Sequence, residues 1–106
     1  MTLFLWLVLG HFVADYSLQS DFIAKYKARS QSLPAVPWFY VMAGHCATHA
    51  SAVALLTGSP VLALLEFCCH FVIDYAKCEG QTTIHTDQFL HVVCKLMWAS
   101  LFSLGV

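Results

Sequence analysis

Charge is what this chain has least of. Only 10% of its 106 residues are Asp, Glu, Lys or Arg, where a soluble domain carries about a quarter. The formal net charge is −1, so nothing in the electrostatics calls for a nucleic-acid partner. A basic leader is also missing. Met1-Thr2-Leu3-Phe4 opens the chain, and His11 and Asp15 interrupt the apolar run that follows, unlike a cleavable signal peptide. No segment alternates apolar and polar residues with period two, and four tilted strands could not close a barrel, so strands are not expected. C-x-x-C is absent. The five cysteines, Cys46, Cys68, Cys69, Cys78 and Cys94, are odd in number and fall mostly in apolar runs. They read as reduced, small core residues, with Cys46 set aside as an alternative soft ligand beside His45.

What the chain has in quantity is apolar length. It is 59% hydrophobic, with mean hydropathy +0.71. Four apolar segments stand out, at about 2–20, 36–57, 60–78 and 86–105. At about 1.5 Å per residue each is long enough to cross a hydrocarbon core. Pro34 and Pro37 mark entry to the second, and Thr57-Gly58-Ser59-Pro60 reads as a tight turn with Ser59 as N-cap and Pro60 at the first helical position. Glu79-Gly80-Gln81-Thr82-Thr83 separates the last two. The expectation is an all-α, four-helix transmembrane bundle, one integral membrane domain over 1–106. Trp38 beside Pro37 suits an interfacial belt. Lys25, Lys27 and Arg29 lie in the first loop and Lys77 at the edge of the third, while the second loop has no basic residue. The positive-inside rule then places both termini outside the cytoplasmic membrane. The lipid bilayer is the expected partner, and homo-oligomerisation stays open.

Into this apolar chain one phrase is written twice. His11-Phe12-Val13-Ala14-Asp15-Tyr16 returns as His70-Phe71-Val72-Ile73-Asp74-Tyr75. An imidazole and a carboxylate four residues apart share one helix face, and in hydrocarbon such a pair is costly unless partnered. The repetition predicts two related hairpins, with the first and third helices parallel. The other helices carry matching pairs, His45 with His49 and Asp87 with His91. Each of the four helices thus contributes two possible metal ligands at i, i+4. Imidazole and carboxylate suit divalent metals, and facing helices that supply Asp or Glu with His are one way to hold two ions. One or two divalent ions, zinc before others, are expected at His11, Asp15, His45, His49, His70, Asp74, Asp87 and His91. A purely hydrogen-bonded core is the alternative. Glu66 and Lys95 extend the polar stripes of their helices and are expected to pair.

The string His11-x3-Asp15-x3-Gln19-x-Asp21, with His45-x3-His49, His70-x3-Asp74-x2-Lys77 and Asp87-Gln88-x2-His91, resembles a domain-of-unknown-function family of small bacterial and phage membrane proteins. More distantly it is similar to predicted membrane-bound metal-dependent hydrolases. The likeness covers nearly the whole chain and implies a multi-pass fold with a metal site at these residues. It supplies no substrate.

Three functions follow as expectations. The first is a metal-dependent hydrolase near the cytoplasmic face, in which metal-bound water is the nucleophile and the substrate is lipid-linked or a phosphoester. Asp21, Gln19 and Lys77 would be its catalytic rim, handling protons or a substrate phosphate. The second is a structural or interaction protein stapled by a fully ligated metal. The third is a proton or metal transport element. A dead-end cavity open to the cytoplasm fits the apolar outer ends near Leu55, Leu56, Leu62 and Leu101 better than a through path does.

Overall fold

Capping side chains and one glycine decide where the helices begin and end. The computed structural model describes residues 1–106 and is helical throughout, with no strand. Helix α1 runs Thr2–Phe12 and continues as a π-helical turn, Val13–Ser17, closed by Leu18 N–H on the Val13 carbonyl. Short α2, Asp21–Tyr26, follows, with Ser20 Oγ accepting from Ile23 N–H. A 3₁₀ turn, Arg29–Gln31, leads to α3, Trp38–Thr57. Gly58, at φ 68°, ends α3 in the left-handed region that a side chain would resist. Ser59 then caps α4, Pro60–Cys78, by accepting from Leu62 N–H, and Pro60 fills the position where a missing N–H costs nothing. Thr83 caps α5, Ile84–Ser103, through Thr86 N–H.

These bounds correct the sequence reading in three places. The first helix stops at Ser17 rather than 20, because the backbone widens into the π turn and breaks. The second starts at Trp38, with Pro37 outside as N-cap. The fourth starts at Ile84 instead of 86, since Thr83 supplies the cap. The first polar stretch is likewise no plain loop, because α2 forms within it.

The four long helices close a ring in which α1 packs on α3, α3 on α4, α4 on α5, and α5 on α1. Asp15 and His11 of α1 meet His45 and His49 of α3 in opposite order, so α1 and α3 are antiparallel. The tight α3–α4 turn reverses direction again, which makes α1 and α4 parallel. One end of the bundle holds the α3–α4 turn and the C-terminus, joined where Ser59 Oγ donates to the Val106 carbonyl at 2.9 Å. The other holds α2 and the α4–α5 turn, joined where Arg29 Nη2 meets Glu79 Oε1 at 2.6 Å. That hydrogen bond lifts the guanidinium pKa above its already high ordinary value.

Burial is inverted relative to a water-soluble domain. The buried set contains Leu7, Val53, Leu62 and Trp98, but more of it is polar: His11, Asp15, Lys27, His45, His49, Glu66, His70, Asp74, Asp87, His91 and Lys95 among others. The outer surface displays Leu5, Trp6, Leu9, Val61, Leu64, Val72, Phe89 and Leu96. Taken singly, only α3 is long and apolar enough to cross a membrane. Helices α4 and α5 carry Glu66, Asp74 and Lys77, and Asp87 and Lys95.

Candidate metal centre

Steps of four residues carry buried positions along every long helix: 7, 11, 15 in α1; 45, 49, 53 in α3; 62, 66, 70, 74 in α4; 87, 91, 95 in α5. Side chains four apart stack one turn above another, so the bundle interior is built in layers. At the end with the termini lies an apolar plug of Leu7, Val53, Leu62 and Trp98, flanked by Cys94. Beneath it, Lys95 Nζ sits 2.7 Å from Glu66 Oε1, the pairing that the helical register predicts.

The next layer is four imidazoles, one from each long helix. Around the ring His11–His49, His49–His70, His70–His91 and His91–His11 have centroids 5.1, 3.8, 4.1 and 5.0 Å apart. One turn further lie Asp15, His45, Asp74 and Asp87, again one per helix. Gln19, Lys27, Lys77 and Gln88 close the loop end. All eight residues expected as ligands are thus brought together, and all are buried.

Their surroundings divide them. Asp74 Oδ2 is 2.6 Å from Lys27 Nζ, and Oδ1 is 3.2 Å from Lys77 Nζ. Asp87 lies 3.9 Å from the same Lys77 and accepts from Gln88 at 3.0 Å. Glu66 has Lys95. Asp15 alone among the buried carboxylates has neither lysine nor arginine. Imidazoles surround it: His49 Nε2 at 3.0 Å and His45 Nε2 at 3.2 Å from Oδ1, with His11 Nε2 at 3.6 Å from Oδ2. Gln88 donates to Oδ2 at 2.9 Å.

Two sets of donor atoms are close enough to share an ion: Asp15, His45, His49 and His70, and a smaller set of His11, His70 and His91. In the first, His70 Nε2 is 3.2 Å from His45 Nε2. Neighbouring donors on a tetrahedral zinc at 2.0–2.1 Å stand about 3.3 Å apart, close to these separations. Hydrogen bonding alone fits poorly here. His45 Nε2 faces Asp15 Oδ1, Asp74 Oδ2 at 3.4 Å and His70 Nε2 together, yet one imidazole nitrogen carries at most one hydrogen. In the second set the Nδ1 atoms of His11 and His91 have no hydrogen-bond partner. Either group could therefore hold a divalent ion. Asp74 and Asp87 stand outside both sets, because lysines and Gln88 occupy them.

The rim residues fare differently. Gln19 bridges the layers, donating to the Asp15 carbonyl at 3.1 Å and accepting from Lys27 at 2.6 Å. Lys77 is half-buried over Asp74 and Asp87. Asp21 lies exposed in the first turn of α2, with no hydrogen bond or ion pair into the cluster. The expected open cavity is not formed. Four cavities exist, of about 240–420 Å³, and all lie on apolar outer surfaces lined by none of the eight residues. The side chains fill the space themselves.

Sequence reasoning missed Lys27. It counted as a loop charge, but it is 2% exposed and reaches 47 positions along the chain to Asp74. Gln88, to which the sequence pattern assigns no role, links Asp15, Asp87 and His11, whose Nε2 lies 3.0 Å from Gln88 Oε1. A lysine eight residues after the polar stripe's Gln19, on an arm long enough to fold back, was the one available signal.

The chain belongs to the family described as protein of unknown function (DUF3307), which matches residues 3–105. No curated protein and no solved structure matches it. The family match assigns no activity.

Proposed function

We propose that the protein is a multi-pass protein of the bacterial cytoplasmic membrane that holds a divalent cation, zinc by preference, in the nest of Asp15, His45, His49 and His70. The observation that carries the metal is the isolation of Asp15, a buried carboxylate ringed by imidazoles with no ammonium or guanidinium within ion-pair distance. A cation at that point supplies the missing counter-charge and gives four convergent donors one common partner. Membrane residence is supported by the inverted burial: the charges of α4 and α5 face inward, and their outer faces are apolar. With Lys25, Lys27, Arg29 and Lys77 gathered at the α2 end, that end belongs in the cytoplasm and both termini outside.

Four protein donors saturate a tetrahedral ion, as in structural sites. The metal-stapled bundle is therefore the first reading of what the ion does. Conduction is disfavoured by the plug of Leu7, Val53, Leu62 and Trp98 and by the paired Glu66 and Lys95. Metal-dependent hydrolysis is the second reading, on a specific observation. Asp15 is the most accessible of the four donors, at 7% exposed, and its polar neighbours at the loop end are Gln19, which donates to its backbone carbonyl, and Gln88, which donates to its carboxylate. In that reading water would take the place of Asp15 on the ion, and Lys27 and Lys77, at the same end of the bundle, would supply positive charge for an anionic ester.

X-ray absorption on the zinc-loaded protein separates these readings. Four nitrogen and oxygen ligands with no exchangeable water support the staple. A bound water, together with phosphoester or lipid-ester hydrolysis lost in His49→Ala, supports the enzyme. A chain that takes up no metal overturns both in favour of a hydrogen-bonded core.

A further inference from the structure

We infer that Glu66 is a positioning residue for the metal nest: it fixes the tautomer of His70 so that Nε2 presents its lone pair to the ion. The inference deepens the proposed metal site and rests on it. Its geometry is independent of any ion. His70, Glu66, Lys95 and Trp98 are each 1–2% exposed, so every polar atom among them must find its partner within the protein. Glu66 Oε1 accepts from Lys95 Nζ at 2.7 Å and from Trp98 Nε1 at 2.8 Å. Oε2 is left facing His70 Nδ1 at 3.3 Å.

An ionised carboxylate only accepts, so the hydrogen between Oε2 and Nδ1 belongs to the imidazole. A neutral ring has one other nitrogen, and it must be bare. That nitrogen, Nε2, lies 3.2 Å from His45 Nε2, inside the nest. Carboxylates in this position behind a metal-bound histidine orient the ring and raise its basicity. Lys95 and Trp98 in turn hold Glu66 in place, which gives the buried ion pair a role beyond neutralising itself.

A consequence follows for stoichiometry. With Nδ1–H committed to Glu66, His70 has a single lone pair and serves a single ion. The two donor sets share His70, so the second is reduced to His11 and His91. The bundle is built for one ion rather than two.

The test uses the full chain in detergent micelles with ¹⁵N-labelled histidine. In the metal-free wild type, His70 is expected as the Nδ1–H tautomer. In Glu66→Gln with Lys95→Met, Trp98 can only donate, which draws the amide oxygen to it. The amide NH₂ then faces His70 Nδ1, and the ring is expected to switch to Nε2–H. Cobalt(II) titration should give at least ~10-fold weaker binding in this double variant, with an altered visible spectrum. Its helix content should stay unchanged. An Nε2–H tautomer in the wild type overturns the inference, as does unchanged cobalt affinity in the double variant. If the variant does not fold, the wild-type tautomer alone decides. If the wild type binds no metal, the proposed function fails, and the tautomer still decides whether Glu66 sets the ring.

Discussion

The two copies of the repeated phrase start from the same letters and end with opposite jobs. Within each copy the spacing is nearly equal: His11 Nε2 lies 3.6 Å from Asp15 Oδ2, and His70 Nε2 lies 3.8 Å from Asp74 Oδ2. Across copies the neighbours differ. Asp15 meets imidazoles and an amide, whereas Asp74 is taken by Lys27 and Lys77. His70 is backed by Glu66, while His11 uses Nε2 on Gln88 and leaves Nδ1 without a partner. The donor nest therefore takes its carboxylate from the first copy and one of its three imidazoles, His70, from the second. The same letters thus sit in different surroundings: Asp15 falls in the donor set, whereas Asp74 is held by two lysines.

The same substitution in each copy tests this division most severely. Asp15→Asn should remove most of the bound metal, because it deletes a donor and the only uncompensated charge. Asp74→Asn should leave metal content near wild type. Instead it strands Lys27 in the interior, and losing one partner of a buried ion pair costs about 3–5 kcal/mol in stability. Adding Lys27→Met should recover most of that loss. Metal analysis and denaturant unfolding on the three variants decide the matter, and equal metal loss from Asp15→Asn and Asp74→Asn breaks the comparison.

The single differing letter offers the next test. Ala14 is 2% exposed, whereas Ile73 is only half-buried. Ala14→Ile makes the phrases identical and should cost about 1–3 kcal/mol through overpacking within the π turn. Ile73→Ala, the reciprocal change, should cost about 1–2 kcal/mol for its partial burial. Gln88 touches His11 and Asp15 but neither residue of the second pair, so Gln88→Leu should weaken metal binding about 10-fold without unfolding the bundle. Smallest of all should be Arg29→Ala. It removes an exposed contact to Glu79, the residue that Tyr75 of the second copy reaches at 3.4 Å, and the melting midpoint should not move beyond scatter.

Much of this was legible in the chain because buried polarity has a helical period. The steps at 11 and 15, 45 and 49, 70 and 74, and 87 and 91 point at one axis once four helices are granted, and Glu66 with Lys95 follows from the same register. The turn at Gly58, Ser59 and Pro60 was readable for the same local reasons. The asymmetry between copies was not. It depends on Lys27 crossing from α2 to Asp74, a contact between distant positions that no local pattern encodes. Nor does the π turn at Val13–Ser17 follow from the phrase, since Val72–Tyr75 remains α-helical with nearly the same letters. Only α3 is long and apolar enough to cross a membrane when taken singly, because averaging along α4 and α5 mixes an apolar outer face with a charged inner one.

The central claim is that the nest holds one cation, with its carboxylate from the first copy and an imidazole from the second. Elemental analysis of the full chain, purified in detergent without chelator, tests it most directly. The account predicts about one equivalent of divalent transition metal per chain, the number a single four-donor site accepts. Wild-type protein that contains less than about half an equivalent, and gains none from added zinc, would contradict it.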